Sequence, residues 1–195
     1  DLKAALRAEG LAYPPDPGSV AISTIGGNVA TNAGGMCCVK YGVTKDYVRG
    51  LTVVLADGTV TKLGRATAKG VAGLDLAALL VGSEGTLGVV VGATLKLRRL
   101  IAGQTRTLTA SFPDVRHAAG AAAAVTASGV QPAIMELMDA ASLDAVHRLL
   151  GLPAPDAGAA QLTIQTDGPT ASEEAESIAA ILAASGGAVR LAVDD

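Results

Sequence analysis

The sequence predicts an α+β protein in two parts, and three observations carry that reading. β-Branched and apolar residues flank an Asp-Gly pair in the first half, "YVRGLTVVLADGTVTKL" at 47–63, as paired strands require. Past residue 103, strand-like and helix-like segments alternate in the order βαβαβαβ. The change from one grammar to the other falls at 100–103, which places the main boundary there: a first domain over 1–102 and a second over 103–195.

In the first part, residues 1–10 read as a helix, with Leu2 and Leu6 at helical spacing and Gly10 as its stop. A helix that begins at residue 1 is expected to have been cut, and the chain lacks an initiator Met. "YPPDPG" at 13–18 is an extended loop, because its prolines remove backbone donors and fix φ. Asp57-Gly58 predicts a hairpin through a type I′ turn, in which both central residues take positive φ. "GSEGTLG" at 82–88 then feeds a strand over 89–97. The block 11–100 thus reads as strands and structured loops.

In the second part, a strand at 105–112 precedes an Ala-rich helix after Pro113-Asp114, a strand at 133–138 and a helix over 140–150. A strand at 161–166, a helix over 172–185 and a last strand at 188–193 complete it. Asp139 and Ser172 stand at N-cap positions, and Glu173 and Glu174 suit the positive end of the last helix. This order implies a ferredoxin-like sandwich with its helices on one face. "GLPAPDAGAA" at 151–160 is the most flexible-looking connector.

Half of the 195 residues are apolar, enough for a real core. The net charge is −3 with no basic run, so nothing is built to neutralise a nucleic-acid backbone. Gly, Thr, Asp or Lys breaks every apolar run before the roughly 18 residues a membrane span needs, and the N-terminus carries no secretory pattern. The two cysteines, Cys37 and Cys38, are neighbours, which excludes a disulfide framework and makes a poor metal site; no metal is expected. A reducing, cytoplasmic location fits.

The chemistry concentrates in two glycine-rich stretches. "STIGGNVATNAGG" at 23–35 holds four glycines with Thr and Asn side chains and little apolar bulk. Backbone with few Cβ atoms lets a ligand approach its N–H groups, and successive N–H groups make a nest for anions. Turns or tight strand crossings would use the same glycines. The spacing matches neither GxGxxG nor GxxxxGK[ST], so neither a dinucleotide Rossmann fingerprint nor a P-loop is supported. In "GSEGTLG" three glycines surround Glu84, marking backbone that a ligand approaches or a tight turn into the next strand.

Taken in series, "PPDPGS", "STIGGNVATNAGG", "KYG", "GLTVVLADGTV", "GLDLAALLVGSEGTLGVV" and "ATLKL" resemble the PCMH-type FAD-binding domain of the vanillyl-alcohol-oxidase superfamily. Within it they are most similar to the branch of glycolate oxidase, D-lactate dehydrogenase and D-2-hydroxyglutarate dehydrogenase. The resemblance covers about 11–100. It implies that 1–102 is the second subdomain of such a domain, a mixed or antiparallel sheet with helices, and that 103–195 begins the substrate-binding cap. "MELMD" at 135–139 matches a recurring cap strand.

The activity implied is removal of a hydride from the α-carbon of a D-2-hydroxy acid such as glycolate or D-lactate, with electrons passed to a separate acceptor or partner subunit. The cofactor implied is noncovalent FAD. Carried over by position, its contacts are Ser23, Thr24, Ile25, Gly26, Gly27 and Asn28 around the first Gly-Gly pair. Thr31, Asn32, Ala33 and Gly34 follow, with Pro17, Gly18 and Ser19 on the approach. Glu84, Gly85, Thr86, Gly88, Val89 and Val90 close the other side, and Gly42 is a further candidate. No catalytic residue is assigned.

In that family another Gly-rich pyrophosphate loop lies N-terminal to the present residue 1, and a later cap segment carries histidines and a carboxylate for a metal. Neither is in this sequence, so the chain is expected to be a fragment holding one side of the flavin cradle, inactive in isolation. His117 and His147 read as surface or boundary residues of helices, and Arg98-Arg99 as a solvated strand end. Leu74 stands where the family often has an aromatic residue. Two other readings share these features. One is an alkyl-glycerone-phosphate-synthase-like FAD transferase, disfavoured by the absence of a basic cluster in 103–195. The other is a non-catalytic fragment whose exposed faces drive homo-oligomerisation.

Overall fold

The computed structural model describes residues 1–67, 69–156 and 159–191. The chain divides into two compact units, Asp1–Leu100 and Ile101–Asp195.

The first unit opens with helix α1 (Leu2–Ala8) and a short strand β1 (Leu11–Ala12). Helices α2 (Ile25–Thr31) and α3 (Cys38–Tyr41) and a 3₁₀ turn (Thr44–Tyr47) lead into β2 (Val48–Val54) and β3 (Val60–Gly64). Helix α4 (Leu76–Leu80), β4 (Val89–Leu95) and the two-residue β5 (Arg98–Arg99) follow. The sheet is antiparallel in the order β3-β2-β4. Leu51 and Val53 of β2 project onto one face and form a core with Val29 of α2 and with Ala77, Leu80 and Val81 at α4.

Two expectations change here. The glycine-rich stretch, in a block expected as strands and structured loops, is helical over Ile25–Thr31. Side-chain capping and burial of Val29 outweigh a glycine penalty of about 1 kcal/mol per residue. The Asp57-Gly58 turn is not type I′: only Gly58 has positive φ (+82°), and its N–H donates to Leu55 O while Leu55 N–H donates to Thr59 O. This is a type I turn closed by a left-handed glycine. Arg98-Arg99, expected as a solvated strand end, is exposed and forms a short strand paired with β1, and the Arg98 guanidinium lies 5.6 Å from the Tyr41 ring centroid.

The second unit runs β6 (Gln104–Phe112), α5 (Val115–Ala127), β7 (Ile134–Met138), α6 (Ala140–Leu150), β8 (Ala160–Gly168), α7 (Ala171–Ala184) and β9 (Ala188–Leu191). Its sheet order is β7-β8-β6-β9 with every neighbour antiparallel, which is the ferredoxin-like arrangement with α6 inserted between the second and third strands. Strand β8 alternates: Ala160, Leu162, Ile164 and Thr166 are buried, with half-buried residues between them. That period of two puts one face against α5 and α7. Leu108 and Phe112 of β6, Val125 of α5, and Ile178 and Leu182 of α7 complete this core, whereas no α6 residue belongs to it. The sandwich is therefore built by two helices. Of the connector 151–160, residues 157 and 158 lie outside the described residues, as do 192 and 193 of the expected last strand.

Asp114 and Asp139 cap α5 and α6, accepting from His117 N–H at 2.9 Å and Ser142 N–H at 2.8 Å. Those backbone donors are the main reason both carboxyls titrate below their ordinary 3.8. Ser172 is not a cap. Helix α7 starts after Thr170, and the Ser172 hydroxyl instead accepts from Arg106 Nε at 3.3 Å.

Truncating Leu162 to Ala should cost about 2–5 kcal/mol in denaturant unfolding, while Leu149→Ala, at a site 85% exposed, should change stability by less than about 0.5 kcal/mol. Because the caps' folded pKa values are depressed, their contribution is present above the unfolded carboxylate pKa and is lost as pH falls through the folded one. Asp139→Asn keeps a capping oxygen without the charge, so urea midpoints followed from neutral to acid pH should fall less steeply for the variant.

Candidate functional site

Helix α2 is held at both ends by side chains. Thr24 Oγ1 accepts from Gly27 N–H at 3.0 Å and caps the N-terminus, and Thr31 Oγ1 donates to Gly27 O at 3.0 Å. Asn32 takes the left-handed conformation (φ +49°) that ends the helix, and its Oδ1 accepts from Lys45 N–H at 2.9 Å. The Thr24 hydroxyl and carbonyl thereby engage Gly27 and Asn28, whereas the first-turn N–H groups of Ile25 and Gly26 have no intrahelical acceptor. On the Gly26 side, and beside Gly18, a Cβ would meet nothing within 4 Å.

Pro17, Ser23, Thr24, Ile25 and Asn28 line one cavity of about 330 Å³, with Tyr13, Pro15, Val20 and the start of α1 on its other walls. Asn28 is nearly buried at 8% exposure. Lys3 brings a positive charge to this wall and pairs with Asp16. Tyr13 packs edge-on against Tyr47, with ring centroids 5.6 Å apart. Burial raises the Tyr13 hydroxyl above its ordinary pKa, and the Thr44 hydroxyl nearby offsets part of this without reaching hydrogen-bond geometry.

The second stretch joins the first through the backbone. Gly82 N–H donates to Val29 O and Glu84 N–H to Ala30 O, both at 3.0 Å, so the 82–88 loop satisfies carbonyls at the C-terminal end of α2. Gly82, Glu84 and Gly85 all have positive φ, and the Thr86 hydroxyl donates to Ser83 O at 2.6 Å. Glu84, Gly85 and Thr86 are exposed. A Cβ on Gly88 would press on Val53 Cγ1 at 2.7 Å and on Val54 O at 2.9 Å. Gly88 thus lets the loop run close to β2, where Val89 and Val90 pair with Val54 and Val53.

Other expected contacts stand elsewhere. A Cβ on Gly35 would run into the Asp16 carbonyl, so the second Gly-Gly pair admits the "PPDP" backbone. A Cβ on Gly34 would lie 3.3 Å from Cys38 Sγ, the atom that accepts from Gly35 N–H. Ala33 O accepts from Thr44 N–H and Oγ1. Gly42 (φ +80°) has the Asp46 carboxylate where a Cβ would stand, and it does not line the cavity. Sequence reasoning passed over Lys3, Tyr13 and Pro15; the last two belong to "YPPDPG", which it read as an extended loop.

His117 Nδ1 meets Asp114 Oδ1 at 2.8 Å on the exposed start of α5. Among the described residues, no helix is long and apolar enough to cross a membrane. No group of three or more His, Cys, Asp or Glu residues there is arranged to hold a metal ion.

The first unit thus sets a cavity beside the capped helix α2, and the second unit is ferredoxin-like. Residues 1–64 match the family described as "FAD binding domain", and residues 101–195 match "FAD linked oxidases, C-terminal domain". The chain is 44% identical over 184 residues to glycolate oxidase subunit GlcD of Bacillus subtilis, covering 93% of this chain and 39% of that protein. It is 55% identical over 97 residues to D-lactate dehydrogenase of Anaerostipes hadrus, covering 50% of this chain and 20% of that protein. It belongs to the FAD-linked oxidases, whose cofactor is FAD. It spans about two fifths of the length of the Bacillus relative. A solved alkyldihydroxyacetonephosphate synthase superposes with a TM-score of 0.75 at 23% identity, covering all of this chain and 40% of that one; this likeness concerns the fold.

The open sides of Gly18 and Gly26, the first-turn donors of α2 and the cavity beside them fit part of a phosphate-bearing cofactor. Thr24→Ala should cost about 1 kcal/mol of stability through loss of the cap. Gly35→Ala should destabilise more, because its methyl has no room against Asp16. Thermal unfolding of the two variants checks the order.

Proposed function

We propose that this chain forms part of an FAD-dependent dehydrogenase that oxidises a D-2-hydroxy acid such as glycolate or D-lactate to the 2-oxo acid. Residues 1–102 contribute the C-terminal part of the flavin-binding domain, and residues 103–195 the N-terminal part of the substrate-binding cap. The observation that carries this reading is the meeting of both glycine-rich stretches at α2, in a chain whose relatives include a glycolate oxidase subunit and a D-lactate dehydrogenase.

FAD, when bound, would supply the two-electron chemistry that takes the hydroxy acid to the 2-oxo acid. The part played by this chain is binding and orientation. Ile25 and Gly26 N–H groups and the Ser23 and Asn28 side chains present donors to the cofactor. Gly18 and Gly26 keep the approach clear, and Glu84, Gly85 and Thr86 close over it from the 82–88 loop. Thr31, Asn32, Ala33 and Gly34 shape the C-terminal end of α2 that this loop grips. The binding is noncovalent. The Bacillus relative is named as a subunit, which favours a partner subunit as the route for electrons. Cys37 and Cys38, both outside any disulfide, fit a reducing, cytoplasmic setting.

The protein carrying these residues should be isolated yellow, and should reduce an artificial electron acceptor when given glycolate or D-lactate. A colourless protein that FAD cannot reconstitute would overturn the reading. Gly26→Ala separates binding from folding: it should raise stability by up to about 1 kcal/mol, because Ala is the better helix former. It should also weaken FAD binding, measured by flavin fluorescence, by filling the open side of the helix.

A further inference from the structure

We propose that the first unit carries a second anion site, a phosphate-binding pocket formed by Lys45, Arg49, Arg65 and Lys96. These four side chains come from the 3₁₀ turn, β2, the end of β3 and the end of β4, yet they line one cavity of about 230 Å³ together with Asp46 and Asp75. Lys96 follows the last residue of β4 and Gly88 precedes the first. At about 3.3 Å per residue, the eight steps from Gly88 place Lys96 some 26 Å along the strand from it.

The pocket is built by backbone contacts as well as by charge. Gly64 has φ +80°, and a Cβ there would run into the Arg49 carbonyl; its absence lets Arg65 N–H donate to Arg49 O at 2.8 Å, setting the two arginines side by side. The Arg65 side chain then lies along Gly70, where any Cβ would displace it. Lys96 N–H donates to Tyr47 O at 2.7 Å, and its ammonium stands 5.8 Å from the Tyr47 ring centroid. Lys45 is fixed by its N–H bond to Asn32.

The charge balance calls for an anion. Each carboxylate already serves the fold: Asp46 Oδ2 accepts from Val43 N–H at 2.8 Å, and Asp75 Oδ1 from Ala78 N–H at 3.0 Å. Four cations against two carboxylates leave an excess of two positive charges, which a phosphate dianion matches. The surrounding unit agrees in sign. Residues 1–100 carry eleven Lys and Arg against seven Asp and Glu, a net +4, whereas 101–195 carry four against eleven, a net −7. The recognised chemistry is a phosphate dianion, free or as the terminal group of a phosphomonoester.

Isothermal titration of the flavin-free chain at constant ionic strength tests this, with inorganic phosphate and glycerol phosphate as separate probes. Saturable binding of one or both is expected. Tighter binding of inorganic phosphate identifies the free ion as the ligand, and tighter binding of glycerol phosphate identifies an ester. Arg65→Gln and Lys96→Gln should each weaken binding about tenfold or more, as loss of a hydrogen bond to a charged group does. Gly70→Ala should weaken it by displacing Arg65, with the circular dichroism spectrum unchanged in all three variants. Absence of saturable binding overturns the proposal. So does binding that Gly26→Ala abolishes and Arg65→Gln leaves intact, or a hexaglutamate peptide that binds more tightly than either phosphate. None of these results depends on FAD, so failure here leaves the flavin reading to its own test.

Discussion

Two backbone hydrogen bonds, from Gly82 N–H to Val29 O and from Glu84 N–H to Ala30 O, hold together what the sequence separates by some fifty residues. A short helix ends with unsatisfied carbonyls, and here a loop of left-handed residues supplies the missing donors. The same contact buries Val29 among Leu51, Val53, Leu80 and Val81. That burial stabilises a helix with two consecutive glycines, which its own propensity would not hold. The open face of α2, the approach of the 82–88 loop and the register of β4 on β2 all depend on this junction.

The glycines of the first unit divide by what surrounds them. Gly18 and Gly26 leave space, which a ligand can use. Gly35, Gly64 and Gly88 have that space filled by backbone from Asp16, Arg49 and Val54, which fixes how the chain crosses itself. Composition cannot separate these roles, because both call for a missing Cβ. The second unit needs few such devices. Its alternating β8 and the buried positions of α5 and α7 interlock by simple periodicity around Leu108, Leu162, Ile164 and Ile178.

The charge asymmetry has a local counterpart. Five basic residues of the first unit, Lys45, Arg49, Arg65, Lys96 and Arg98, gather near the ends of β2, β3 and β4, over the Tyr41 and Tyr47 rings and around the Lys45–Lys96 pocket. The sheet brings them together because antiparallel pairing sets the ends of β3 and β4 beside the start of β2, joining residues far apart in sequence.

The sequence by itself determined the order of elements in the second unit, the Asp114 and Asp139 caps, the hairpin at Asp57-Gly58 and the two stretches of uncovered backbone. These follow from short-range rules of periodicity, capping and turn chemistry, which are written within a few residues. Tertiary structure decided that 25–31 is a helix, that the turn after β2 is type I with a left-handed Gly58, and that Ser172 serves Arg106 instead of capping α7. It also decided that α6 stays out of the core and that Gly35 answers to Asp16. Apart from the turn, whose bonds join Leu55, Gly58 and Thr59, each of these depends on a partner distant in the chain, so no local pattern could record it.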